Sequence, residues 1–159
     1  MALDAARTSH VLCLDVDFEL SGGSHDALRL AHADAAEASG GKPVALVVPA
    51  FEVAYEHAEN AALFMKDKGK LGQLVADGHA SGFHVGHFPR GHRATNFDRF
   101  FGPARGVYEV EYEACFEPYV VLERGCVPRY DERFRGYGLN KVRVCTPPHK
   151  EWLIHSHAH

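Results

Sequence analysis

Two hydrophobic patterns alternate along the chain. One is the short run in which every position is apolar; the other recurs at helical spacing. Val11-Leu12-Cys13-Leu14 is the first run and Val44-Ala45-Leu46-Val47-Val48 the second. Both read as strands buried on two faces, as in a parallel sheet. Between them, Ser21-Gly22-Gly23-Ser24 predicts a turn, with Ser24 capping a helix from His25 to about Ser39. Leu28, Ala31, Ala35 and Ala38 form its apolar stripe, and Gly40-Gly41 ends it. A second helix is expected from about Asn60 to Ala76. Gly78 to Phe97 is rich in Gly and His without a clear period and reads as a long loop. Val107 to Tyr112 alternates like a half-exposed strand. Val120-Val121-Leu122 and Trp152-Leu153-Ile154 are further short strands, and Tyr130 to Arg135 opens a helix with acids.

This alternation of strands and helices predicts an α/β fold. Ala2 to Arg7 favours helix but spans barely two turns, and the first strand follows with no partner before it. The expectation is a chain that begins inside a larger domain.

Chemistry concentrates where the first run ends. Asp15 and Asp17 follow Leu14, separated by Val16. Carboxyl ends of strands are where open α/β sheets bind ligands. Two hard oxygen donors side by side suit Mn²⁺ or Mg²⁺ bridging to a phosphate. Three readings compete. One Asp caps a helix while the other is solvated; or Asp15 is the nucleophile of a metal-dependent phosphohydrolase or phosphotransferase; or the pair holds a cation against a nucleotide-sugar diphosphate. Phe18-Glu19-Leu20 supplies no Ser or Thr after the pair and fits the second reading poorly. If the first two runs are parallel neighbours, Glu52 also lies close to the pair.

Composition narrows the partners. The 159 residues carry a net charge of −4 with no basic block, so nucleic acid is not expected. No apolar run approaches a membrane span and no signal peptide is read at Met1, so a membrane anchor is expected only in a longer parent chain. Cys13, Cys115, Cys126 and Cys145 lack a C-x-x-C spacing; Cys13 reads as a buried small hydrophobe. Of the 12 histidines, His84 and His87 lack the spacing of a helical zinc pair. Sugar or phosphate binding by these histidines and by Arg90 or Arg93 is the better expectation. His155, at the end of the last apolar run, is a metal-ligand candidate, with the alternative of a plain tail.

Taken together, several stretches resemble glycosyltransferase family 49, the group of the LARGE C-terminal domain and β-1,4-glucuronyltransferase 1. They are Ala2 to Thr8 with Leu14 to Phe18; Ala45 to Glu52; Gly91 to Phe97; Phe116-Glu117-Pro118-Tyr119-Val120-Val121; and Pro128 to Lys141. Each is short, but their order and spacing are specific. The resemblance implies a GT-A fold with a Rossmann-like nucleotide-binding half and a mixed sheet. It implies Mn²⁺ (or Mg²⁺) held by Asp15, Asp17 and a C-terminal histidine, His155, with His157 and His159 competing. It implies inverting transfer of glucuronic acid from UDP-glucuronic acid to a xylose-type acceptor on a glycoprotein, of the matriglycan kind, in the Golgi lumen.

Within that frame Asp131 or Glu132, ahead of Gly136-Tyr137-Gly138, is the expected general base, with Glu117 behind them. The rival for the first two is a helix N-terminus, which favours acids anyway. Asn140 and Lys141 are expected to order the turn or touch donor or acceptor, and Arg90, His92 and Arg93 to bind uronate or diphosphate, a structural His92 being the alternative. Two departures stand out. The nucleotide-binding strands expected before Ala2 are missing, and the chain between Val142 and Trp152 is short. Residues 1–159 are therefore read as a single partial, incomplete GT-A domain, with an inactive fragment acting as a binding module as the rival.

Overall fold

A computed structural model describes residues 2–54, 56, 67–103, 106–127 and, for the backbone, 151–156. Strands and helices intermix along the chain. A short helix α1 (Ala2–Ala5) is followed by β1 (His10–Leu12), α2 (Ser24–Ala38), β2 (Val44–Val48) and β3 (Phe51–Val53). Then come α3 (Lys68–Ala76), β4 (Ala80–Gly82), α4 (Pro89–His92) and α5 (Phe97–Phe101). The strands β5 (Gly106–Glu109), β6 (Tyr119–Glu123) and β7 (Glu151–Ser156) complete the described set. The fold is mixed α/β.

Five strands form one sheet in the order β1-β6-β2-β7-β5, and β3 pairs with β4 apart from it. Among the described strands, only β2 and β7 run parallel; every other pair is antiparallel. β2 is the centre, as its unbroken apolar run requires. Its residues alternate between two cores. Ala45 and Val47 join Tyr108, Val110, Phe116, Val120 and Leu122 on one face. Val44 and Leu46 join Val121, Ala31 and Ala35 on the other, under α2. Each fully buried leucine, Leu46 and Leu122, contributes on the order of 1.5–3 kcal/mol. A third cluster sets Phe51, Leu71 and Ala80 among Phe97, Phe100 and Phe101.

Several expectations are corrected. The first apolar run does not form a buried strand of parallel neighbours. β1 is a three-residue edge strand, paired antiparallel with β6 through His10 opposite Glu123 and Leu12 opposite Val121. β6 lies between β1 and β2, so these two share a direction but no hydrogen bonds. Cys13, beyond the strand, is exposed. Ser24 is not the helix cap. Gly23 takes that place at φ 82°, a left-handed conformation that glycine adopts freely, and the Ser24 hydroxyl donates to the Ser21 carbonyl. The helix expected from Asn60 is seen from Lys68, where the Asp67 carboxylate accepts from the amides of Gly69 and Lys70. The start of that predicted stretch lies outside the described residues.

The stretch from Gly78 to Phe97 is not a loop throughout. It holds β4, α4, a single 3₁₀ turn (Arg93–Thr95) and the start of α5. Local hydrogen bonding, not hydrophobic period, organises it. The His84 carbonyl accepts from the amides of His87 and Phe88, and Asn96 caps α5 through the amide of Arg99. Tyr108, buried in β5, donates to the Thr95 carbonyl at 3.3 Å. Burial pushes its phenol up to about 12, against the pull of the Arg99 guanidinium over its ring. Among the described residues, no helix is long and apolar enough to cross a membrane.

Candidate functional site

The strand directions bring chemistry to one end of the main sheet. The carboxyl ends of β1, β2 and β7 and the amino end of β6 all lie there, since Tyr119 is opposite Val48 and β7 is parallel to β2. β1 leads directly into Asp15-Val16-Asp17-Phe18. These four residues do not continue the strand. They form a turn, closed by the Phe18 amide donating to the Asp15 carbonyl at 3.2 Å. Strand alternation therefore does not align the two carboxylates. The turn presents them instead, with the Val16 side chain wholly in solvent.

Asp15 is half-buried and Asp17 exposed. The Tyr119 hydroxyl donates to the Asp15 carboxylate at 2.7 Å. Asp17 makes no hydrogen bond or ion pair among the described residues. Beneath the turn lies an aromatic cluster. The Phe18 ring packs at 4.5 Å from Tyr119 and 4.8 Å from Phe83. Phe83 stacks on His84 at 3.9 Å and meets His92 edge-on at 5.2 Å. The Phe83 amide donates to the Ala50 carbonyl, fixing the cluster to the end of β2.

His92 is buried against Phe83, so it is packed into the floor of the site. Glu117 is half-buried, and its amide donates to the Gly91 carbonyl at 2.9 Å, joining the segment before β6 to α4. A side chain at Gly91 would run into the Phe88 ring and displace it. Arg90 is exposed, and Arg93 is ion-paired with Glu113 at 2.7 Å. Glu52 accepts from the Ser81 hydroxyl across the β3–β4 pair. His155 lies in β7 opposite Val107, near the strand's carboxyl end and so at the same end of the sheet as the Asp turn. Asp131, Glu132, Asn140, Lys141, His157 and His159 lie outside the described residues.

Among the described residues, no three His, Cys, Asp or Glu side chains are gathered for a metal ion. The Asp pair alone meets the first requirement of such a site, two hard oxygen donors on one exposed turn. A separate groove of about 550 Å³ is lined by Arg93, Asn96, Tyr108, Glu109, Glu111 and Glu113. It does not include the Asp pair.

Two residues of the site carried no role in the sequence reading. Tyr119 stood inside the Phe-Glu-Pro-Tyr block, and its phenol at the head of a buried strand was the available signal. Nothing local to Phe83 pointed to Phe18, which lies 65 positions earlier.

The opposite end of the same sheet holds a second polar group. The His10 and His32 rings meet edge-on at 4.3 Å, with Glu123 opposite His10 on β6. The His32 Nε2 is buried without a hydrogen-bond partner among the described residues. Burial holds this imidazole below its ordinary 6.5, His10 adds to the effect and Glu123 opposes it.

Comparison with known proteins gives this geometry a context. A family model described as the glycosyl-transferase for dystroglycan matches residues 1–146. The chain is 38% identical over 142 residues to the xylosyl- and glucuronyltransferase LARGE2 of Mus musculus, covering 89% of this chain and 20% of that protein. It is 39% identical over 142 residues to LARGE2s of Danio rerio and 36% over 142 residues to LARGE1 of Homo sapiens, each covering 89% of this chain and 18% of the relative. The chain thus spans about a fifth of the length of these relatives. With its Asp-x-Asp turn at the carboxyl end of a mixed sheet and a family match over most of its length, the chain belongs to glycosyltransferase family 49.

Proposed function

We propose that this chain carries the diphosphate-binding part of an inverting glucuronyltransferase of GT-A type. Its donor is UDP-glucuronic acid and its acceptor a xylose-ended glycan on a glycoprotein in the Golgi lumen. The relatives' description as xylosyl- and glucuronyltransferases supports the sugar class. One observation carries the reading. Asp15 is anchored by the Tyr119 hydroxyl on an exposed turn, with Asp17 open beside it.

The residues suit a divalent cation. A carboxylate pair on one turn repels itself, and a hard cation relieves that repulsion. Asp15 and Asp17 would hold Mn²⁺ (or Mg²⁺), with His155 as the third donor. Such an ion would act as a Lewis acid on the charge developing at the leaving diphosphate. Asp131 or Glu132, or else Glu117, would take the proton from the acceptor hydroxyl. Arg90, Arg93, Asn140 and Lys141 would neutralise uronate and diphosphate oxygens, Arg93 by exchanging Glu113 for the ligand.

The alternative reading is a binding module of the same family that keeps the turn but not catalysis. The phosphotransferase reading recedes, because family membership points to glycosyl transfer.

Calorimetric titration of the chain with UDP, with and without Mn²⁺, separates these. UDP binding is expected only with Mn²⁺, and Asp17→Ala is expected to weaken it by about 100-fold or more, the loss of a direct ligand exceeding the 10–100-fold of a supporting residue. A folded chain that binds no UDP under either condition would overturn the enzyme reading and leave the binding module.

A further inference from the structure

The Asp-x-Asp turn is moored at two places. The strand β1 leads into it, and the Tyr119 phenol grips the Asp15 side chain. Tyr119 is only 2% exposed and begins β6, which is paired on both sides, to β1 and to β2. Its ring is walled by Phe18 at 4.5 Å and by Phe83 at 6.1 Å. Phe18 belongs to the turn itself, and Phe83 is tied by its amide to the Ala50 carbonyl. Three distant parts of the chain therefore converge on one hydroxyl–carboxylate contact.

A core tyrosine needs a partner for its hydroxyl, and many acceptors would serve. Here the acceptor is a carboxylate of the pair that the proposed function assigns to a cation. A carboxylate on an exposed turn otherwise samples several rotamers, and ordering it on binding weakens affinity. A buried hydrogen-bond donor removes part of that penalty in advance. We infer that Tyr119 is the positioning residue of the Asp-x-Asp turn, holding Asp15 in the orientation that a divalent cation and a diphosphate require. This rests on the metal–diphosphate reading. Tyr119 would act through Asp15 and need not touch the ligand itself.

The test separates positioning from plain packing. Tyr119→Phe keeps the ring and its walls and deletes only the O–H. Mn²⁺ binding is followed by the loss of the free-ion paramagnetic resonance signal, in the presence of UDP, alongside a urea unfolding curve. The expected result is an affinity for Mn²⁺ lowered 10–100-fold, the range for partners of a metal ligand. Asp15→Ala should lower it at least as much, and adding Tyr119→Phe to Asp15→Ala should change it by less than about twofold. Phe18→Leu keeps every hydrogen bond and removes one wall. It should lower the affinity about 3–10-fold, between no effect and the loss of a supporting hydrogen bond. It also supplies the answer if Tyr119→Phe does not fold. A wild type that binds with Tyr119→Phe or Phe18→Leu binding equally well would overturn the positioning role. A folded wild type that binds neither Mn²⁺ nor UDP would overturn the metal–diphosphate reading and the inference together.

Discussion

The two ends of the main sheet are built from the same strands, β1, β6 and β2, yet treat their polar groups in opposite ways. At one end a half-buried carboxylate, Asp15, meets a buried phenol donor at 2.7 Å. At the other, a buried imidazole nitrogen of His32 meets no partner among the described residues and lies against a second histidine. A cavity of about 180 Å³ adjoins it, lined also by Lys42, Glu123 and Cys126. Unsatisfied buried polar atoms are destabilising, while satisfied ones fix a geometry. The first end is therefore equipped to hold a ligand group still. The second is equipped to make the fold sensitive to protons.

The largest expected effect breaks the support under the first end. Phe116 is fully buried and lies three residues before Tyr119. Phe116→Ala should lower the stability of the chain by about 3–5 kcal/mol, seen as a shifted urea midpoint. A loss below about 1 kcal/mol would mean that this face of the sheet is far looser than its burial indicates.

A pH titration sharpens the contrast from the second end. The His32 pKa is lowered in the folded state from 6.5, first by burial and then by His10, with Glu123 opposing. The unfolded chain then binds a proton more readily than the folded one. Its contribution is thus full above pH 6.5 and is lost as pH falls through 6.5 toward the folded value. Lys42 and Cys126 also face the cavity beside it. His32→Leu should flatten this part of the stability–pH curve between pH 7.5 and 5, measured by urea midpoints. An unchanged slope would show that His32 does not set it.

The smallest effect concerns a contact between exposed side chains. Arg93 and Glu113 are paired at 2.7 Å with side chains 59% and 34% exposed. Arg93→Ala should therefore change stability by less than about 1 kcal/mol. If UDP affinity falls while the urea midpoint does not, Arg93 belongs to the diphosphate site; if both stay, its role is confined to Glu113.

What is legible in the sequence follows the range of the interactions involved. β2 was legible because burial on both faces leaves an uninterrupted apolar run. α2 and its stop at Gly40-Gly41 were legible because helix and terminator are encoded locally. The alternation from Val107 matches buried Tyr108 and Val110 and exposed Glu109 and Glu111, but the strand expected to reach Tyr112 ends at Glu109. β1 was misread because an apolar run states that a strand is covered but not by what. Its neighbour β6 begins 104 residues after Asp15. The same separation hid Tyr119. The Asp pair could be read from two adjacent residues, whereas its anchor depends on a contact that no local pattern encodes. The family blocks covered both partners, which is why their order along the chain was informative where hydrophobic period was not.

One feature of the fold bears on affinity through populations. β1 is three residues long and paired on one side only, among the described strands, with the Arg124 amide donating to the Ser9 carbonyl at its margin. Edge strands of this length open far more often than the centre of a sheet. Every opening would release the turn from its leading strand while Tyr119 still grips its carboxylate. The observed dissociation constant of any ligand on the turn would then be its intrinsic value divided by the fraction of molecules in which strand and turn are closed together. A contact that lengthened or covered the β1 edge would tighten binding without touching the ligand at all.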